Sequence, residues 1–217
     1  MKNPQGIIFD LDGTLIDSLG IWVEVDYLYL RSKGKEPKPN LSAILKTMSM
    51  MQTIQFFKDD YGIEDSIEKM TEDVYTLAKK AYRDQIPLKE GALDLVEFFH
   101  KNQVKMSVAT ANHRPLADAA IERLGLKPYL SHVLICDEVG FGKEDPFIFE
   151  QAANLMETEI SNTIVFEDSL HALQTAKRAG FYVVGVYDAM AEWEQKELRE
   201  EAHLYLNSLR EWPGLYD

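Results

Sequence analysis

Apolar residues recur along this chain in two rhythms. Short continuous runs, "GIIF" at the start and later "VKMSVAT", "HVLIC", "TIVFED" and "YVVGV", have the length and composition of buried strands. Other stretches repeat at helical spacing. Leu19, Trp22, Val23, Tyr27 and Leu30 predict a helix that stops near Gly34, followed by the breaker cluster "KEPKPN". "LSAILKTMSMMQTIQFFKDDYG" and "SIEKMTEDVYTLAKKAYRDQ" continue as helical stretches, so residues from about 17 to 86 contain no strand-like alternation. After Pro87 the pattern changes. "EGALDLVEFFHKN", "HRPLADAAIERLG" with its stop at Gly125, "DPFIFEQAANLME" with Pro146 near its start, and "HALQTAKRAG" are helices set between the strands. A polar helix, "AEWEQKELREEA", and a short strand, "HLYL", close the chain. Strand and helix alternating in this way predict an α/β fold, a parallel sheet covered on both faces. The helical block is then an insertion after the first strand.

In parallel α/β folds, ligands bind beyond the carboxyl ends of the strands. Four segments place polar residues there: Asp10 and Asp12 after "IIF", Thr110 after "SVA", Lys143 in the loop "GFGKEDP", and Glu167 and Asp168 after "TIVF". Taken singly, these read as a turn, a strand-end hydroxyl, a solvated loop and a helix N-cap. Together they have a chemical logic. Carboxylates gathered at one point repel unless positive charge sits among them. A hard divalent cation such as Mg2+ takes oxygen ligands, and Lys143 adds a second positive charge able to meet phosphate oxygens. Thr110 supplies a hydroxyl donor, and the backbone N–H groups after Asp10 add anion contacts. If Leu11 turns away, both acids of Asp10-x-Asp12 face the crevice. One acid can then attack phosphorus while the other protonates the leaving oxygen.

Composition narrows the ligand. Aspartate and glutamate total 36 against 23 lysines and arginines, a formal charge of -13 over 217 residues. That balance opposes nucleic-acid polymers and anionic membranes, so a phosphorylated partner is expected to be a small metabolite held by locally built charge. The single cysteine, Cys136, excludes a disulfide framework and reads as a small buried hydrophobe. No signal peptide or membrane span is apparent, and the expected location is cytoplasmic. A monomer is expected, with a weak dimer as the alternative.

At these residues the chain resembles the haloacid-dehalogenase-like (HAD) hydrolase superfamily. "DLDGT" matches its first motif, "SVATAN" its second, "GKEDPFIF" its third and "VFEDS" its fourth, all in order. The resemblance implies a Rossmann-like core from residues 1–15 and 88–217 with helices on both faces. It also implies an all-helical cap domain at 16–87, as in the branch containing β-phosphoglucomutase and phosphoglycolate phosphatase. It implies that Asp10 becomes an aspartyl-phosphate and that Asp12 protonates the leaving alcohol and then activates water. Thr110 and Lys143 would hold the phosphoryl oxygens. Mg2+ would be held by the Asp10 carboxylate, the Asp12 backbone carbonyl and Asp168, with Glu167 helping directly or through water. Gly13, Ala111, Asn112, His113 and Arg114 border the same crevice as candidate substrate contacts, with Lys46 and Met50 facing it from the insertion.

The chain also departs from the family pattern. Relatives commonly read "GKPAPDIF" where this chain has Glu144, Asp145 and Phe147, which leaves open what positions Lys143. Ala172 stands where the fourth motif often has glycine, a change a helix tolerates. β-Phosphoglucomutases carry an arginine in a cap segment like "KGxSR" that grips a distal phosphate; here the nearest segment is "KTMSM", with Met50 at the arginine position. The leading expectation is therefore a Mg2+-dependent phosphatase of a small phosphomonoester, a sugar phosphate or nucleotide-like compound. A phosphosugar mutase and a non-catalytic binding protein on the same scaffold are the alternatives. The cluster Met48, Met50 and Met51 is expected to pack the cap or to line the substrate site.

Overall fold

A computed structural model describes residues 4–45, 48 and 50–215. Strand β1 (Gly6–Phe9) leads directly into the helical insertion, made of α1 (Leu19–Ser32), α2 (Leu41–Leu45), α3 (Met50–Tyr61) and α4 (Ile67–Asp84). There follow α5 (Ala92–Lys101), β2 (Lys105–Thr110), α6 (Arg114–Arg123), β3 (His132–Ile135), α7 (Cys136–Val139) and α8 (Phe147–Leu155). The last elements are β4 (Thr163–Glu167), α9 (Leu170–Arg178), β5 (Tyr182–Val186), α10 (Gln195–Glu201) and β6 (Leu204–Leu206). The strands form one sheet in the order β3-β2-β1-β4-β5-β6, every neighbouring pair parallel. This is a Rossmann-like order. From β1 the chain runs outward to β3 on one side and then returns to build β4, β5 and β6 on the other. The reversal falls between β1 and β4, where such sheets open a crevice for ligands.

The period-two rhythm of the strands divides the core between the two faces. Ile7, Phe9, Ile164, Phe166, Val184 and Val186 pack toward α5, α6 and the insertion. Ile8, Val165 and Val183 pack on the opposite face with Ile148, Phe149, Leu173 and Leu198 of α8, α9 and α10. Because both faces are covered, β1 and β4 read as continuous apolar runs rather than as alternations. On the first face Phe9, Phe99 and Phe166 cluster with Trp212, with ring centroids 4.9–6.3 Å apart.

The insertion is fastened to the core where the chain enters and leaves it. Ile16 bridges Leu88 antiparallel, Asp17 N donates to Pro87 O at 3.0 Å, and Lys89 N donates to Leu15 O at 2.9 Å. Arg123 of α6 donates to Tyr82 O (3.1 Å) and to Ile86 O at the end of α4. Within the insertion, Ser66 caps α4 by accepting from Lys69 N at 3.2 Å. The buried face of α4 carries Met70, Val74, Ala78, Ala81 and Tyr82.

Three sequence expectations change. The stretch 41–62 is not one helix: α2 and α3 are separate, and Lys46, Thr47 and Ser49 lie outside the described residues. Cys136 does not end a strand but begins α7. The polar tract "AEWEQKELREEA" is α-helical only over α10, and that helix is not a wholly solvated face. Leu198 and Gln195 are buried, and Gln195 accepts from the Tyr205 hydroxyl (2.6 Å) while donating to Ala191 O (3.2 Å). A helix covering a sheet must bury one stripe however polar its remaining positions are. Among the described residues no helix is long and apolar enough to cross a membrane.

Phe99 links the sheet to the C-terminal Trp212 and is 1% exposed. Phe99→Ala is expected to cost about 3–5 kcal/mol, measured as a lowered denaturation midpoint with an unchanged slope.

Candidate active site

The four polar segments of the sequence meet at the β1–β4 reversal. The β1–β4 register, with Phe9 opposite Phe166, continues past the strand ends, where Asp10 N donates to Phe166 O at 2.9 Å. Asp10 thereby emerges beside Glu167 and Asp168, and all three are buried. Gly13 then takes φ +89°, and a Cβ there would stand 2.3 Å from Asp168 Oδ2. Only glycine lets the loop after β1 pass so close to that carboxylate. Thr14 Oγ1 donates to Asp168 Oδ1 at 3.2 Å.

Lys143 reaches this point from the loop after α7. Its ammonium is buried, donating to Asp10 Oδ1 and, at 2.5 Å, to Glu167 Oε1. Burial alone would push it toward the neutral amine, but the Asp10 and Glu167 charges reverse that and raise its pKa. The positioning question left by Glu144, Asp145 and Phe147 has a geometric answer. Asp145 Oδ1 accepts from Phe147 N at 2.9 Å, at the start of α8, and the Glu144 carboxylate folds over Gly142. Lys143 is oriented by Asp10 and Glu167 instead.

Burial raises the pKa of Glu167, against the pull of Lys143 and with the Asp10 charge adding to it. Asp168 is raised by burial and by the charges of Asp10 and Glu167. Three carboxylates thus share one ammonium, an incomplete compensation. Asp10 Oδ2 is buried and has no hydrogen-bond partner among the described residues. Asp10, Glu167 and Asp168 each offer one oxygen, all within 4.8 Å of one another. A donor set of carboxylate oxygens with an orphaned buried oxygen fits a hard divalent cation.

Asp12 has a different environment. Its carboxylate accepts from Ser18 Oγ (2.6 Å), the Tyr82 hydroxyl and Asn112 Nδ2 (2.7 Å). Its side chain is therefore no part of the acid trio. Burial and the Asp10 charge raise its pKa, and the three donors partly offset this. A carboxyl so placed holds a proton more readily than an exposed one. Ser18 and Tyr82 are not picked out by sequence reasoning. Tyr82 left one signal, a phenol on the buried face of an otherwise Ala/Val/Met stripe, which needs a partner. Ser18 left none, since a serine before a helix ordinarily reads as its cap, and here it makes no capping bond.

Thr110 is buried at the end of β2, its Oγ1 accepting from Asn112 N at 3.0 Å. Asn112 Oδ1 accepts from His113 N at 2.7 Å, so both ends of the amide are fixed. His113 stacks on Tyr75 of α4, with centroids 4.6 Å apart and planes at 8°. That stack lies where two cavities meet. One, of about 730 Å³, runs past Glu72, His113 and Asp137. The other, of about 600 Å³, lies between insertion and core and contains Asp12, Ala111 and Asn112. Met48 and Met50 line the second cavity, whereas Met51 is exposed. Arg114 is not brought to the crevice. Its guanidinium holds Glu138 at 2.9 and 2.5 Å and Val133 O at 2.9 Å, because α7 presents that carboxylate beside the start of α6. Cys136 is buried, and burial pushes its thiol up to about 11, so it is no nucleophile. Lys46, the other cation considered, lies outside the described residues.

The fold and this constellation define a hydrolase class, and comparison agrees. The profile of the haloacid dehalogenase-like hydrolases matches residues 7–186, so the chain belongs to that family. The phosphorylated carbohydrates phosphatase of Thermotoga maritima is 26% identical over 176 residues, 81% of this chain and 82% of that protein. The validoxylamine A 7'-phosphate phosphatase of Streptomyces hygroscopicus subsp. limoneus is 28% identical over 212 residues, 96% of each. CbbY from Rhodobacter sphaeroides, solved in complex with phosphate, superposes with a TM-score of 0.81 over 96% of both chains at 19% identity, a likeness of fold.

Asp12, Asp26, Glu167 and Asp168 all have raised pKa values when folded. The folded protein therefore holds protons that the unfolded chain releases. In the metal-free protein this contribution to stability is present at low pH and lost as pH rises. For Asp26 the window runs from the ordinary 3.8 to about 7. Melting temperatures of chelator-treated protein are expected to fall across that window, as read by calorimetry.

Proposed function

We propose that the protein is a Mg2+-dependent phosphatase of a small phosphomonoester, working through an aspartyl-phosphate on Asp10. The observation that carries this reading is the contrast between the two acids of the first loop. Asp10 is held against Lys143 beside Glu167 and Asp168, whereas Asp12 is held against neutral donors in the cavity. This contrast supports Asp10 as the nucleophile and Asp12 as the proton carrier. The naming of the relatives as phosphatases supports the same reaction class.

Asp10, Glu167 and Asp168 would hold the metal through side-chain oxygens, and Asp12 through its main-chain carbonyl. When bound, Mg2+ supplies positive charge against the phosphoryl oxygens. Lys143 spends two of its three N–H groups on Asp10 and Glu167 and keeps the third for a phosphoryl oxygen. Thr110 and the backbone N–H groups after Asp10 and Thr110 bind the rest. An Asp10 oxygen forms a bond to phosphorus as the bond to the leaving oxygen breaks, and Asp12 gives that oxygen its proton. Asp12, now a carboxylate, takes a proton from water. The water oxygen bonds to phosphorus, and the Asp10–phosphorus bond breaks to release phosphate. Residues 16–87 act as a cap on a core of 1–15 and 88–217. The antiparallel bridge between Ile16 and Leu88 supports these boundaries. Closure of the cap excludes bulk water during the transfer. The substrate is a small cytoplasmic metabolite, with no nucleic-acid or membrane partner, and the chain works as a monomer.

A screen of sugar phosphates, nucleotides and glycerol phosphate, with Mg2+ or with a chelator, tests this reading by phosphate release. Mg2+-dependent release is expected, and isomer formation without net release would instead indicate a mutase. Asp10→Asn is expected to abolish turnover, and retained activity would refute the covalent step. Asp12→Asn is expected to slow turnover by about 10²–10⁴-fold, measured as kcat on the best substrate.

A further inference from the structure

Helix α4 packs between α1 and α6 and buries the stripe Met70, Val74, Ala78, Ala81 and Tyr82. Four of these are apolar. The fifth, Tyr82, is 0% exposed and carries a hydroxyl. A phenylalanine would satisfy the packing, and a buried hydroxyl costs stability unless it is bonded. Tyr82 donates it to Asp12 Oδ1. Its neighbours hold the ring and the backbone in place. The Tyr82 ring lies 5.9 Å from the Trp22 ring of α1 with planes at 57°, and its carbonyl accepts from Arg123 Nε of α6 at 3.1 Å. The insertion therefore presents one fixed donor to the first loop of the core.

A second donor meets the same oxygen. Ser18 Oγ, from a residue that is also fully buried, donates to Asp12 Oδ1 at 2.6 Å. A carboxyl oxygen accepts about two hydrogen bonds, so Ser18 and Tyr82 together fill Oδ1. The proton of an acidic Asp12 then belongs on Oδ2, the oxygen that Asn112 Nδ2 meets at 2.7 Å. Both Oδ1 bonds survive when that proton leaves, because neither uses it.

We infer that Tyr82 is a positioning residue for proton transfer, clamping Asp12 Oδ1 together with Ser18 so that Oδ2 delivers the proton to the leaving oxygen. The inference rests on the phosphatase reading and adds to it a residue of the insertion. As the ester P–O bond breaks, its electron pair goes to the leaving oxygen. The Oδ2 proton moves to that oxygen, and Asp12 becomes a carboxylate. The clamp matters in proportion to the leaving group's need for that proton. An alkoxide needs it as the bond breaks, whereas p-nitrophenolate leaves as a stable anion.

The test compares kcat/KM for p-nitrophenyl phosphate and for the best alkyl phosphate of the screen, in wild type and in Tyr82→Phe. This constant ends at formation of the aspartyl-phosphate, before Asp12 activates water. Tyr82→Phe is expected to lower it about ten- to hundredfold for the alkyl ester and to leave it within about twofold for p-nitrophenyl phosphate. Ser18→Ala is expected to show the same split. The double variant is expected to lose less than the product of the two separate factors, since both residues serve one oxygen. Equal losses on the two esters mark a general structural role and overturn the inference. No loss on either ester overturns it too, as do independent losses in the double variant. The two readings fail distinguishably. A Mg2+-loaded wild type that releases phosphate from neither ester removes the phosphatase and the clamp with it. A wild type active on both, with no leaving-group dependence in Tyr82→Phe, removes the clamp alone.

Discussion

The arrangement depends on one buried ammonium. Lys143 stands between Asp10 and Glu167 at the point where the sheet reverses direction, with Asp168 beside them. Three carboxylates in a buried crevice would otherwise force each other to protonate or would open the loops that carry them. The reversal makes the cluster unavoidable. β1 and β4 are neighbours in space but separated in sequence by the insertion and two other strands, and both end in acids. The lysine must come from a third segment, beyond β3, on the far side of the sheet. That single requirement fixes the loop between α7 and α8 against the strand ends, and leaves an orphaned Asp10 oxygen for a further cation.

A second constraint ties the insertion to the chemistry. Asp12 is gripped by Ser18 at the entry to the insertion, by Tyr82 near its exit and by Asn112 from the end of β2. The Tyr75–His113 stack closes the same seam a few residues away. Any movement of α4 relative to the core therefore changes the hydrogen bonds of Asp12. Helix α4 thereby joins the donors of Asp12, through Tyr82, to the cavity wall, through Tyr75.

Departures from the family's local pattern are absorbed locally. Where relatives often have an aspartate, Phe147 instead packs on Phe141 at a centroid distance of 5.0 Å, and Asp145 turns back to the α8 start. Lys143 does not depend on them because the strand ends supply its partners. Ala172 is buried against the sheet, where a methyl group adds packing.

Much of the fold was legible because the rhythm of burial is local. Consecutive apolar runs announced strands covered on both faces, and Pro146 and Gly125 marked helix ends. Asp10, Thr110, Glu167 and Asp168 were legible as strand-end groups, and Lys143 as the cation of a loop beyond them, since a parallel sheet brings its strand ends to one edge. Legibility failed wherever a side chain's meaning lies in a partner distant along the chain. Tyr82 and Ser18 became donors to Asp12 only when α4 folded back over the first loop. Arg114 was drawn to Glu138 because α7 happens to present a carboxylate there. Asp26 of α1 lines a cavity only because the core closes its other side. Periodicity encodes which face of an element is buried; which atoms it is buried against is set by long-range packing, and only the tertiary structure decides it.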